Sequence, residues 1–414
     1  MRRVFFLLAT AFATALIAAV AAAAASAGTC DTMRSRLLRG GGAASGLLVV
    51  DAETGSVLCA RTPNRARPLA SNMKLFTTAT ALSRLGPDHR IPTKLFATGT
   101  VDTEGTLHGD LFLRGGGDPV LGTPSFYERY FGGLGTNLLA LRGQVAQAGI
   151  DSVTGRLYAD DTIFDRLRGV ADSGYATSSE IGPLSGLAFD AGFTGPSLAS
   201  FSSDPARLAA VKLAQTLRAG GVDVPAQVAL APTPLNAERI GLLRSPPLDL
   251  IVNTTDVYSV NFLAEMLIKL LGAQFGGAGT TAAGAGVVEA FAREHGSGVH
   301  AVDGSGLTRS NRGSPRQVID LLLGMRQDPA GEEFIQDLAL TGREGTVADR
   351  MEGTAAYGRC RTKTGTLTGV SNLSGYCFNK SGRIIAFSIL MGSVGSLTLA
   401  HLEQDRIAAA VASY

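Results

Sequence analysis

Residues 68–76 read Pro68-Leu69-Ala70-Ser71-Asn72-Met73-Lys74-Leu75-Phe76, and this stretch decides how the rest of the chain is interpreted. Met73, Phe76, Leu82 and Leu85 recur at helical spacing. The pattern predicts a helix from Ser71 to about Leu85, buried on most sides. Ser71 and Lys74 are three residues apart, so hydroxyl and amine share one helical face. A lysine is expensive to bury charged, and its pKa is expected to fall there. An amine that can give up its proton, one turn from a serine, is a nucleophile with its base. A plainer reading fits the same residues: Ser71 as a helix cap, Lys74 reaching solvent along its aliphatic stem.

Two further triplets bear on the choice. Ser259-Val260-Asn261 opens a helix expected over 258–271, and places a hydroxyl and an amide at its entrance. Lys363-Thr364-Gly365-Thr366 lies on a strand just before a hairpin turn at Thr368-Gly369. On an exposed edge, that strand offers a substrate carboxylate a cation, a hydroxyl and free backbone. All three patterns occur in the order S-x-x-K, S-x-N, K-T-G, on a helix start, a loop–helix junction and an edge strand.

The hairpin also pairs two cysteines. Strands are expected over 359–367 and 370–378. Cys360 lies seven residues before Leu367, and Cys377 seven after Val370, so they face each other. Counted outward from a two-residue turn they form a non-hydrogen-bonded pair, the closer kind, which suits a disulfide. The other two cysteines of the four, Cys30 and Cys59, then pair by elimination.

Composition narrows the class. Arg2 and Arg3, an apolar run from Val4 to Ala25, and Ala25-Ser26-Ala27 read as a secretory signal over residues 1–27. The apolar run is also about long enough to be an uncleaved anchor. Removing the signal leaves 35 basic and 35 acidic residues. A neutral chain with no basic block argues against nucleic acid as a partner. The five histidines show no metal-binding spacing, and neither metal nor cofactor is expected. Strands and helices alternate near both ends of the chain, while 96–235 reads as a separate run of strands and loops. This predicts an α/β (α+β) domain built from residues 28–95 and 236–414, an antiparallel sheet flanked by helices, carrying a β-rich insertion over 96–235.

With these motifs the chain resembles the penicillin-binding serine D-alanyl-D-alanine carboxypeptidases, and most closely their low-molecular-mass class C type, the carboxypeptidase/endopeptidases. Gly116-Gly117-Asp118-Pro119, Asp161-Thr162-Ile163-Phe164-Asp165, Asn261-x-x-Ala264-Glu265, Asp303-Gly304-Ser305-Gly306-Leu307 and Gly369-Val370-x-Asn372-Leu373 extend the likeness over nearly all of the mature chain. The insertion between Ser71 and Ser259 is shorter than that class usually carries, which implies a reduced or absent third domain.

The resemblance implies a serine β-lactamase/transpeptidase-like fold and a mechanism. Ser71 attacks the penultimate D-alanine of a peptidoglycan stem peptide and Lys74 takes its proton. Ser259 relays a proton to the leaving amine, and Asn261 binds substrate backbone and positions Lys74. Lys363, Thr364, Gly365 and Thr366 hold the terminal carboxylate, and the amides of Ser71 and Thr366 hold the oxyanion. Glu180 would read the amine of the stem peptide's diamino acid, although a solvated surface glutamate is the plainer and the favoured reading of it. Asp303 and Ser305 would hold a turn beside the cleft. β-Lactams would acylate Ser71. The expected setting is the periplasm or cell-wall space, with peripheral or no membrane contact. Two other readings stand beside this one. A β-lactamase of the same fold would need a deacylating carboxylate that is not evident in the sequence. A wall-binding protein would have kept the fold and lost the chemistry.

Overall fold

The computed structural model describes residues 28–195 and 200–414; the expected signal over 1–27 lies outside them. The helices, in chain order, are α1 (28–41), α2 (Met73–Leu85), α3 (Pro124–Tyr130), α4 (Leu141–Gln147), α5 (Pro205–Ala219), α6 (Leu248–Val257), α7 (Asn261–Phe275), α8 (Thr281–Glu294), α9 (Pro315–Met325), α10 (Gly331–Gln336) and α11 (Leu397–Val411). The chain divides into two compact units. One gathers residues up to Arg67, Ser314–Leu323 and Leu340–Tyr414; the other holds Pro68–Gly313 and Gly324–Ala339.

The first unit is built on a six-stranded sheet. Its five long strands run in the order Cys360–Leu367, Val370–Phe378, Ile384–Gly392, Gly46–Asp51, Val57–Arg61, each antiparallel to the next. The central strands are buried along nearly their whole length, because helices cover the sheet: α11 packs on Val370–Phe378 and Ile384–Gly392. The hairpin register is the expected one. Cys360 lies opposite Cys377, and Phe378 N donates to Arg359 O, so the cysteines occupy the non-hydrogen-bonded position. Their Cα atoms are 4.0 Å apart and the disulfide is formed. Cys30 of α1 is bridged to Cys59, which fastens the helix to the outer strand. Asp51 accepts from the Arg383 guanidinium and from the amides of Glu53 and Thr54. The arginine, then these amides, hold its carboxyl down at about 2.

The second unit contains a five-stranded sheet ordered Val228–Leu230, Leu157–Asp160, Leu111–Arg114, Pro92–Ala97, Glu238–Arg244. Its first three strands are mutually parallel and the last two antiparallel. Helices α4 and α5 cover it, and leucines, valines and alanines from 95–243 form one continuous core. Helix α5 begins where its sequence says: Asp204 caps the Arg207 amide and Pro205 occupies the first turn. A second core joins the loops of the insertion to α7. Phe126, Phe131, Phe164, Ile181 and Phe193 pack with Phe262, Leu263, Met266 and Leu270. Gly117, at φ 86°, leaves room for the Phe164 ring, since a Cβ there would lie 2.7 Å from it. The two motifs Gly116–Pro119 and Asp161–Asp165 therefore meet as packing partners.

Three local readings of the sequence, 272–286 as a Gly/Ala/Thr-rich loop and 187–189 and 299–303 as short strands, differ from the structure. Residues 272–286 read as a loop, yet α8 starts at Thr281, capped by the Thr280 hydroxyl on the Ala283 amide. Gly284 serves packing rather than flexibility: a Cβ on it would meet the Ile268 carbonyl oxygen at 1.8 Å, so α8 lies directly on α7. The strands expected at 187–189 and 299–303 are absent. The first is irregular chain in the loop region, and the second makes a single bridge, His300 to Arg312.

Candidate active site

Ser71 lies in a single 3-10 turn, Ala70–Asn72, that runs directly into α2. Ala70 has φ 47°, a left-handed conformation that costs an alanine free energy and persists only where the surroundings impose it. Those surroundings are the 303–311 loop. Leu69 N donates to Asn311 O at 3.1 Å. Gly306, at φ 87°, approaches so closely that a Cβ on it would stand 1.8 Å from the Ala70 oxygen and 3.0 Å from the Ser71 nitrogen.

Lys74, on the first turn of α2, is fully buried. Its Nζ donates to Ser71 Oγ at 3.1 Å, Asn261 Oδ1 at 2.7 Å and the Ser305 carbonyl at 2.8 Å. These three partners are uncharged. The carbonyl and the amide oxygen can only accept. A neutral amine would spend its two N–H bonds on them and turn its lone pair to the Ser71 hydroxyl. The arrangement can thus take a proton from Ser71, and the expected Ser71–Lys74–Asn261 cluster is assembled.

Ser259 falls in the break between α6 and α7, at φ 59°, and is partly exposed. Asn261 begins α7, and its Nδ2 donates to the Glu180 carbonyl at 3.1 Å. Glu180 thus reaches the cluster through its main chain, while the residue itself is exposed. In the other unit, Lys363–Thr366 lie within Cys360–Leu367, next to the hairpin turn. Lys363 is buried rather than standing on an open edge; its Nζ donates to the Thr364 carbonyl at 3.1 Å. The hydroxyl of Thr364 contacts that of Thr346 at 2.8 Å, and Thr366 is exposed. At the Cys360 end of this strand Thr341 N donates to Cys360 O at 3.0 Å.

Sequence reasoning placed Ser305 in a supporting turn; the structure brings its carbonyl onto the candidate base. Two residues that were given no part hold that carbonyl in place. Thr77 Oγ1 donates to Gly304 O at 2.9 Å, and Ser305 N donates to Glu265 Oε1 at 2.7 Å. Asp303 accepts from the amides of Gly306 and Thr308 and from Asn311 Nδ2, each at 2.7 Å. Burial, then the Asp303 carboxylate, push the Glu265 carboxyl up to about 8. One turn further along α7, buried Lys269 pairs with Asp165 and donates to the Leu167 carbonyl. The repeat of polar residues at 261, 265 and 269 inside an apolar helix was the available signal for Glu265.

The D-Ala-D-Ala carboxypeptidase 3 (S13) family matches residues 33–200 and 191–412. The chain belongs to this family of serine D-Ala-D-Ala carboxypeptidases. It is 33% identical to a D-alanyl-D-alanine carboxypeptidase of Actinomadura sp. (strain R39), over 90% of this chain and 82% of that one. It is 29% identical to the carboxypeptidase DacB of Mycolicibacterium smegmatis, over 84% and 76%. Among solved structures, penicillin binding protein 4 of Haemophilus influenzae superposes with TM-score 0.77 at 18% identity, covering 92% of this chain and 99% of that one. The last comparison establishes the penicillin-binding-protein fold, with its separate β-rich region, for this S13 carboxypeptidase.

Proposed function

We propose that this S13 enzyme removes the terminal D-alanine from peptidoglycan stem peptides in the cell-wall space, through an acyl-enzyme on Ser71. The observation that carries the reading is the three-way contact of buried Lys74 with Ser71, Asn261 and the Ser305 carbonyl. In acylation the Ser71 Oγ–carbonyl bond forms, the D-Ala–D-Ala amide bond breaks, and the Ser71 proton passes to Lys74. Ser259 carries a proton to the departing amine. Water then releases the shortened peptide and regenerates Ser71. Lys363, Thr364, Gly365 and Thr366 take the terminal carboxylate, for which a cation and two hydroxyls are the matching chemistry. The amides of Ser71 and Thr366 take the oxyanion. Asn261 orients the base and binds substrate backbone, and Glu180, at the rim, meets the stem-peptide amine. A β-lactam follows the same path and leaves a long-lived adduct.

The test is labelling with a fluorescent penicillin, with Ser71→Ala as control. The wild type should label and the variant should not. An unlabelled wild type refutes the enzyme reading; a labelled Ser71→Ala refutes the site. Mass spectrometry of products from a pentapeptide and from cross-linked muropeptide dimers then separates carboxypeptidase from endopeptidase action.

A further inference from the structure

The Lys74 acceptor set contains one member whose position is not fixed by a side chain of its own. The Ser305 carbonyl belongs to a loop, and a loop carbonyl orients an amine only if its peptide plane is held. Two consecutive peptide groups are held here. In the first, Gly304 O accepts from Thr77 of α2 and Ser305 N donates to Glu265 of α7. In the second, Ser305 O accepts from Lys74 and Gly306 N donates to Asp303. Glu265 is therefore the only α7 side chain, among the described contacts, that pins this pair. It is fully buried, and its second oxygen, Oε2, has no hydrogen-bond partner among the described residues. A buried carboxyl with an idle oxygen is a costly way to cap one amide, which an apolar side chain and a shifted loop would avoid.

We propose that Glu265 is a positioning residue for the acylation step: through the Ser305 amide it fixes the carbonyl that aims the Lys74 amine at Ser71. The inference rests on the proposed acylation of Ser71 by Lys74 general-base chemistry. The required property is the acceptor oxygen, Oε1, not a negative charge. The groups facing the carboxyl agree with this. Burial and Asp303 from the loop disfavour ionisation of Glu265 and outweigh the Ser305 hydroxyl and the Ser305 and Gly304 amides, which favour it; Lys269 stands one turn along its own helix, and Lys74 connects through Ser305. A neutral acid at this position keeps charge away from the base while retaining the hydrogen bond.

The test compares Glu265→Gln, which keeps an acceptor oxygen, with Glu265→Met, which keeps length and volume but has none. The probe is a fluorescent penicillin, with stopped-flow separation of the non-covalent dissociation constant from the first-order acylation rate. Glu265→Gln should acylate within threefold of wild type. Glu265→Met should lose at least tenfold in acylation rate with its dissociation constant unchanged, and amide hydrogen exchange at 303–306 should speed up in the Met variant alone. A Met variant that acylates at the wild-type rate overturns the inference. So does a Gln variant as slow as the Met variant, or a Met variant whose binding, rate and melting temperature collapse together. If the wild type itself fails to acylate, the functional reading falls and takes this inference with it; the wild-type arm keeps the two failures distinguishable.

Discussion

Replacing Gly306 by alanine should disable Ser71 without touching any group that reacts. The new Cβ would stand 1.8 Å from the Ala70 oxygen, where about 3.0 Å is the closest tolerable approach, so loop and nucleophile turn must separate by about 1.2 Å. The Ala70 carbonyl adjoins the Ser71 amide, so the displacement falls on the nucleophile. A misplacement of about 1 Å can cost about 100-fold in rate. Stability falls too. A left-handed backbone at φ 87° costs alanine ~1–2 kcal/mol and the collision adds ~1–3 kcal/mol, which together lower the melting temperature by roughly 3–6 °C for a chain of this size. Gly296→Ala is the control, because Gly296 has φ 72° and no atom within 4 Å of a built Cβ. It should bear the backbone cost alone and keep its acylation rate. The assay is the second-order rate of fluorescent penicillin labelling beside calorimetric melting. A Gly306→Ala protein that melts lower yet labels within threefold of wild type would show that the 303–311 loop does not set the position of Ser71.

Asn261→Ala removes one of the Lys74 acceptors and the tie to Glu180; at ~1.5–3 kcal/mol for a bond to a charged or strongly polarised partner, labelling should slow by about 10- to 150-fold. Burial, with Asp256 and Asp249 nearby, raises the Asp337 carboxyl to about 8 from a usual value near 4. The folded state therefore binds the extra proton, and this group's contribution to stability declines as pH rises from about 4 to about 8. Asp337→Asn should flatten that decline in urea titrations run across the range; an unchanged slope contradicts the assignment. Asp51 acts in the opposite sense: its carboxyl is depressed to about 2, so its contribution is present above pH ~4 and lost as pH falls toward 2, and Arg383→Gln should destabilise at pH 6 but not at pH 2. Cys360→Ser with Cys377→Ser opens a crosslink spanning 17 residues and should cost ~3 kcal/mol in equilibrium unfolding.

What was legible in the sequence follows the physics of each element. The hairpin at Thr368–Gly369 could be read to the residue because a two-residue turn and a period of two leave no freedom in register; Cys360 had to meet Cys377. Helix α5 announced itself through Asp204 and Pro205. The start of α8 was hidden because Gly284 has a tertiary reason, contact with the Ile268 carbonyl, that local propensity cannot express. At the site, Ser71, Lys74 and Asn261 were readable because the groups that meet there are side-chain groups, a hydroxyl, an amine and an amide. Ser305 was placed in its supporting turn, but its contact with Lys74 could not be read because it is made by a main-chain carbonyl, which every residue possesses. Glu265 was quoted within a motif but given no role, because its contact is with a main-chain amide. The turn that carries Ser71 packs against Gly306, more than two hundred positions away in sequence.

The amide of Asn261 makes the site unforgiving of small genetic change. One end must accept from Lys74 and the other must donate to the Glu180 carbonyl, so the two ends cannot be exchanged. Aspartate, one base substitution away, would accept at both ends. It would set two oxygens against each other at Glu180 and favour the protonated form of the Lys74 amine, which works against the base role proposed for it. Glutamine would supply the right atoms one methylene too far. Position 261 is therefore an isolated point in sequence space: its nearest chemical neighbours preserve size or polarity, and neither preserves both hydrogen bonds.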